Sequence, residues 1–150
     1  MSYDNELYQQ VILDHNRNPR NFRDMDDATH SCHGFNPLCG DDYTIYLRVD
    51  DDDLIQDISF YGSGCAISKA SSSLMTDFLK GKNINDSRVI FEEFHKMVLG
   101  DFDPDKEEHH LGKLKLFKGV QVFPSRIKCA SLSWHTMVGA LDKSADVTTE

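Results

Sequence analysis

Four cysteines stand at positions 32, 39, 65 and 129 of this 150-residue chain. Three of them lie in settings that suit thiol or metal chemistry: Cys39 in NPLCGD, Cys65 in GSGC and Cys129 in RIKC. Gly40 separates Cys39 from Asp41, so both side chains can turn toward one ion. Cys65 and Cys129 fall at or near expected helix N-termini, where free N–H groups and the helix dipole favour thiolate. Thiolate is the form that binds metal and attacks sulfur. Three thiolates and one carboxylate suit tetrahedral zinc. The steps of 26 and 64 residues between these cysteines are not the paired CxxC spacing of a zinc ribbon. Spacing alone therefore leaves a second reading open, in which each cysteine is an ordinary buried small residue.

The rest of the composition narrows the setting. The N-terminal MSYDNELYQQ has no basic-then-apolar leader layout. No apolar run approaches the ~20 residues that span a membrane. A cytoplasmic home is the expectation, and there cysteines stay reduced. Net charge is −9, from 16 basic and 25 acidic residues, which repels phosphate backbones and argues against nucleic-acid binding. Lys113, Lys115 and Lys118 form the best local basic patch, read here as a solvated face.

The elements that must position the cysteines follow from hydrophobic period. Residues 5 to 16 read as a helix with Leu7, Tyr8, Val11 and Ile12 on one stripe, Asp4 or Asn5 as cap, and Pro19 ending it. Residues 20 to 40 are polar and irregular. Tyr43, Ile45, Leu47 and Val49 alternate as a strand, Asp50–Asp53 form a solvated turn, and Leu54, Ile58 and Phe60 face inward on a second strand. After GSGC a helix carries Ile67, Ala70, Ser71, Leu74, Met75 and Phe78 to Gly81. Another starts at Asp86 or Ser87 and stops at Gly100. Residues 101 to 112 read as an exposed loop, and 113 to 123 are ambiguous. A last helix follows Pro124, with Trp134 in its buried stripe, and residues 144 to 150 should fray. The expected fold is one α+β domain over residues 1 to 150: a small antiparallel sheet of about three strands packed against several helices.

Four blocks in order, LYQQVILDH with NPRNF, NPLCGDDY, GSGCAISKASSS and RIKCASLSW, resemble the U-type iron–sulfur cluster assembly proteins, from about Leu7 to Trp134. The resemblance implies a SufE/NifU-like fold. The family has a scaffold branch, on which [2Fe–2S] clusters are built. It also has a SufU-type branch, whose members resemble zinc-dependent sulfur acceptors working with a SufS-type cysteine desulfurase. Three features bring this chain nearer the second. Its cysteine follows GSG, where the scaffold branch has GCG. Lys128 precedes the third cysteine, where the scaffold branch has a metal-binding histidine. The step from Cys65 to Cys129 is also longer.

The resemblance implies Cys39, Asp41, Cys65 and Cys129 as zinc ligands and Arg126 as functionally sensitive. It implies Cys39 as the sulfur acceptor, a sulfurtransferase role in cluster biogenesis, and downstream cluster-assembly proteins as partners. The alternative is a transient [2Fe–2S] cluster or iron on the same residues. The acceptor thiolate would have to leave the zinc before attacking, and Cys39, in a loop beside Gly40, needs the least structure to move.

Other candidates read as bystanders. Cys32, beside His30 and His33, is a free thiol. His109 and His110 are adjacent, so their rings diverge and chelate poorly. His15 and His95 read as helix-surface residues, and His135 as a surface or partner-contact residue.

Overall fold

The computed structural model describes residues 2–149. Helix α1 spans Ser2–Arg17, strand β1 His30–Asn36, β2 Asp41–Val49 and β3 Ile55–Ser63. Helices α2, Ala66–Leu79, and α3, Ile84–Leu99, follow. A 3-10 helix at Gly112–Val122, helix α4 at Pro124–Leu141 and strand β4 at Asp146–Thr148 complete the chain. The sheet order is β3-β2-β1-β4, antiparallel except for the parallel β1/β4 pair. Helix α4 packs on β1 and β2, and α2 packs on β3 and against α1 and α4. The α+β class is as expected.

The β2/β3 hairpin also forms as the alternation requires. Asp50 closes its turn by accepting the N–H groups of Asp52 and Leu54 at 2.9 and 3.0 Å. A register shift between Arg48 and Val49 pairs Val49 with Ile55, so Ile55 faces the core in place of the expected Leu54.

Several expectations are corrected. Residues 30–36 are a strand, not irregular chain. Its inward residues are Cys32, Gly34 and Asn36, which carry no hydrophobic alternation. They are small because α4 lies close: a Cβ on Gly34 would strike Thr136, and one on Gly139 would sit 3.0 Å from Cys32 Sγ. Cys32 is thus a buried free thiol in the β1–α4 seam. The tail does not fray at 146–148, where β4 pairs with β1. Helix α1 begins at Ser2, so Asp4 and Asn5 lie inside it rather than capping it, and Leu7 is exposed. His15 is buried rather than on the surface, with Nδ1 2.7 Å from Ser73 Oγ.

Helix α3 is capped by Asn83, whose side chain accepts Asp86 N–H at 2.7 Å, earlier than Asp86 or Ser87 suggested. Gly100 ends it in the left-handed region. The ambiguous segment 113–123 is mostly 3-10 helix. Its buried Leu114, Phe117 and Val120 recur every three residues, the 3-10 period. The lysine patch is neutralised: Lys113 pairs with Asp77, and Lys118 with Asp103 and Asp105. No helix among the described residues is long and apolar enough to cross a membrane.

Candidate metal centre

Three elements converge at one end of the sheet. Cys39 sits in the turn between β1 and β2, Asp41 opens β2, and Cys129 lies in the second turn of α4. One ligand atom from each falls within 4.8 Å of the others. The Cys129 and Cys39 sulfurs are 3.3 Å apart and unbonded. Cys65 lies outside this tight trio but joins it through Asp41, whose Oδ1 accepts the Cys65 N–H at 2.8 Å. The structure thus brings Cys39, Asp41 and Cys129 together, with Cys65 adjoining them through Asp41.

The local folding explains the positions. Cys65 is the N-cap of α2: its sulfur accepts the Ser68 N–H at 3.4 Å, as a capping side chain does. The preceding glycines are required by close approach. A Cβ on Gly64 would lie 2.7 Å from Asp41 Oδ1 and 2.8 Å from Tyr43 Cε2. Gly62 has a φ of +147° and faces the Asp42 carbonyl. The serines after Cys65 are anchors as well as small residues. Ser68 Oγ donates to Asp41 Oδ1 at 3.0 Å, and Ser71 Oγ donates to the Ala130 carbonyl at 2.6 Å, tying α2 to the start of the Cys129 turn.

Asp41 is fully buried, with both oxygens engaged: Oδ1 by Cys65 and Ser68, Oδ2 by the Asn36 amide at 2.9 Å. A buried carboxylate held by neutral donors is a stable place for negative charge. The thiols differ. The hydrogen bond from Cys129, helped by Ser68 against the effect of burial, pulls Cys65 down to about 6. The same interaction pushes Cys129 well up, reinforced by burial and by Cys39. Cys129 has one proton and two acceptor sulfurs. It is not at a helix N-terminus, since α4 starts five residues earlier at Pro124, so the expected dipole effect does not reach it.

Soft sulfur donors with one carboxylate are the donor set zinc takes, and their convergence fits that ion. When bound, zinc would keep the thiols ionised at neutral pH and hold them oriented.

Arg126 is exposed, with its guanidinium 4.2 Å from the Phe123 ring centre. It has no carboxylate partner among the described residues. Burial raises the Tyr8 pKa, and its hydroxyl has no hydrogen-bond partner among the described residues. Sequence reasoning missed Asn36, which read as irregular chain but bonds to Asp41 and approaches Cys129. The histidines stay apart from the site. His110 pairs with Glu93, and His95 and His135 pack edge to face at 4.8 Å, with Phe91 against both.

The family model for the NifU-like N-terminal domain matches residues 7–130. The chain is 39% identical to the iron–sulfur cluster assembly scaffold protein IscU of Streptococcus pyogenes serotype M1, over 95% of this chain and 87% of that one. It is 40% identical to the zinc-dependent sulfurtransferase SufU of Bacillus subtilis, over 87% of this chain and 86% of that one. A crystal structure from Fervidobacterium islandicum, of a candidate cluster assembly scaffold for the SUF system, superposes with a TM-score of 0.80 at 33% identity. That match covers 88% of this chain and 94% of the other. This chain belongs to the NifU-like N-terminal domain family, the U-type proteins of iron–sulfur cluster assembly.

Proposed function

We propose that the protein serves iron–sulfur cluster biogenesis in the cytoplasm as a zinc-bound persulfide acceptor, taking sulfur from a cysteine desulfurase on Cys39. The observation that carries this reading is the gradient of exposure across the ligand thiols: Cys39 is exposed, Cys65 half-buried and Cys129 buried. A partner's persulfide can reach Cys39 without unfolding either helix. Gly40 has a φ of +75°, and a Cβ there would meet nothing within 4 Å, so the turn is open beside the acceptor.

The transfer conserves atoms and electrons. The Cys39 thiolate attacks the terminal sulfur of the donor persulfide, a new S–S bond forms, the old one breaks, and the donor cysteine leaves as thiolate. Cys39 then carries the persulfide for a downstream cluster-assembly protein. Arg126, unpaired with any carboxylate among the described residues, supplies a cation for the anionic persulfide. Cys39, Asp41, Cys65 and Cys129 would hold the zinc.

Cluster building on the same residues is the alternative, favoured by the IscU relative at almost the same identity as SufU. Against it stands Lys128, exposed and without a lone pair when charged, where a histidine could ligate.

The test mixes purified protein of known metal content with a SufS-type desulfurase and cysteine, without added thiol. Faster alanine release with a persulfide on Cys39 by mass spectrometry is expected. Cys39→Ala should abolish that label while its circular dichroism stays unchanged. Normal sulfur loading of Cys39→Ala overturns the assignment. An absorbing cluster formed with iron and passed to an apo-acceptor, with no rate effect, supports the scaffold.

A further inference from the structure

Asn36 ends β1 directly opposite Asp41 in the antiparallel register, and both side chains are fully buried. Its backbone carbonyl accepts the Gly40 N–H at 2.8 Å, closing the turn that carries Cys39. Its side-chain nitrogen donates to Asp41 Oδ2 at 2.9 Å and approaches Cys129 Sγ at 3.7 Å. Its side-chain oxygen accepts from Thr149 Oγ1 at 2.8 Å, just beyond β4. A primary amide has two N–H donors and one carbonyl, and here every one of them is engaged. The Asp41 carboxylate accepts and cannot donate, which settles which end of the amide faces the cluster.

We infer that Asn36 is a positioning residue of this site, holding Asp41 and Cys129 in register and leaving one Asp41 lone pair for a cation; the cation part rests on the metal reading above. Asp41 Oδ1 already accepts two hydrogen bonds, from Cys65 and Ser68, which fills its two lone pairs. Among the described residues Oδ2 accepts one, from Asn36, and keeps one free. Asp41 therefore presents Oδ2 to an ion. A neutral amide between a carboxylate and a sulfur also lowers their mutual repulsion without adding a charge that a cation would have to overcome. The cross-strand pairing of residues 36 and 41 fixes this bridge, because opposite residues project to the same face.

The prediction concerns metal capture and can be read without catalysis. Partners that orient metal ligands are worth about 10–100-fold in affinity. Asn36→Ala should weaken Co²⁺ binding by about that factor, measured against a competing chelator, and should alter the thiolate-to-cobalt absorption bands. Asn36→Asp keeps the shape, removes the donors and adds a negative group beside Asp41, so its coordination bands should change as well. Asn83→Ala, which removes the α3 cap and touches no donor, should lower thermal stability yet leave cobalt affinity and spectrum at wild type. Wild-type affinity and an unshifted spectrum in both Asn36 variants overturn the inference.

A second measurement separates it from the zinc reading. In metal-free protein the Asn36 side-chain amide protons should exchange slowly with solvent and stand apart from free amides in a ¹H–¹⁵N spectrum. If wild type captures neither zinc nor cobalt, the zinc reading fails, and these protons decide the positioning role. Exchange at the free-amide rate overturns it.

Discussion

Gly64→Ala isolates the packing on which the site depends. Gly64 is not in the left-handed region, so an alanine there meets no backbone strain. What it meets is contact: the new Cβ would lie 2.6 Å from Ser68 Oγ, 2.7 Å from Asp41 Oδ1 and 2.8 Å from Tyr43 Cε2. Ser68 can rotate away, but only by abandoning its hydrogen bond to Asp41. The Tyr43 ring is fixed in the core at 1% exposure. Overpacking of this kind costs about 1–3 kcal/mol. Losing a hydrogen bond to a charged group costs about 1.5–3 kcal/mol more. Partial relaxation puts the sum at about 3–5 kcal/mol. For a chain of this size each kcal/mol lowers the melting temperature by about 2–4 °C, so the expected drop is about 6–20 °C. Gly40→Ala is the control, since its Cβ meets nothing within 4 Å and its φ of +75° is the sole penalty. That penalty is about 1–2 kcal/mol. Thermal melts of both metal-free variants by circular dichroism make the comparison. A Gly64→Ala melt within about 2 °C of wild type, or above that of Gly40→Ala, would refute the close-approach argument.

Two further predictions address the frame around the site. Ser71 Oγ accepts the Trp134 indole N–H at 3.2 Å, and both residues are fully buried. Ser71→Ala leaves that donor without its partner and should cost about 1–3 kcal/mol in urea denaturation followed by the fluorescence of the chain's one tryptophan. His33 pairs with Asp42 at 2.7 Å and Asp146 at 3.3 Å, and the Asp42 hydrogen bond raises its pKa above the ordinary value. Its contribution is fully present below the unfolded value of about 6.5 and is lost as pH rises through the folded value. His33→Gln should therefore melt below wild type at about pH 5.5 and converge with it at alkaline pH; a gap that widens with pH would contradict the pairing.

The elements that could be read from sequence are those whose burial is apolar and periodic. β2 shows it with Tyr43, Ile45 and Leu47, each at most 1% exposed, and α4 shows it with Ala130, Trp134 and Met137. β1 was hidden because its inward residues are a thiol, a glycine and an amide, chosen by the closeness of α4 rather than by hydrophobicity. The 3-10 helix was hidden because three-residue spacing fits neither the helical nor the strand period. β4 was hidden because a three-residue strand at a polar chain end resembles fraying. Among the candidate site residues, Cys39, Asp41, Cys65 and Cys129 were proposed from residue type and the family resemblance. Asn36 was not, because its role depends on standing across from Asp41, and that pairing exists only once β1 is recognised.

The donors around the cluster share a property that bears on its chemistry. Asp41 is held by an amide, a backbone N–H and a hydroxyl, and the Cys65 sulfur by a backbone N–H. None of these is a cation, and Arg126 turns its guanidinium to the Phe123 ring. Neutral donors stabilise one negative charge well but cannot offset several at short range. Cys65 and Cys129 answer this by dividing their protonation, one pulled down and the other pushed up by the same contact. They titrate as a pair, with a thiolate at the α2 cap and a proton retained in α4. A cation that prefers sulfur would favour ionising Cys129 as well, and it is the chemical complement of what Cys39, Cys65 and Cys129 present. The fold therefore supplies the shape and the first negative charge of the site, while the full charge state of its thiols is coupled to what binds there.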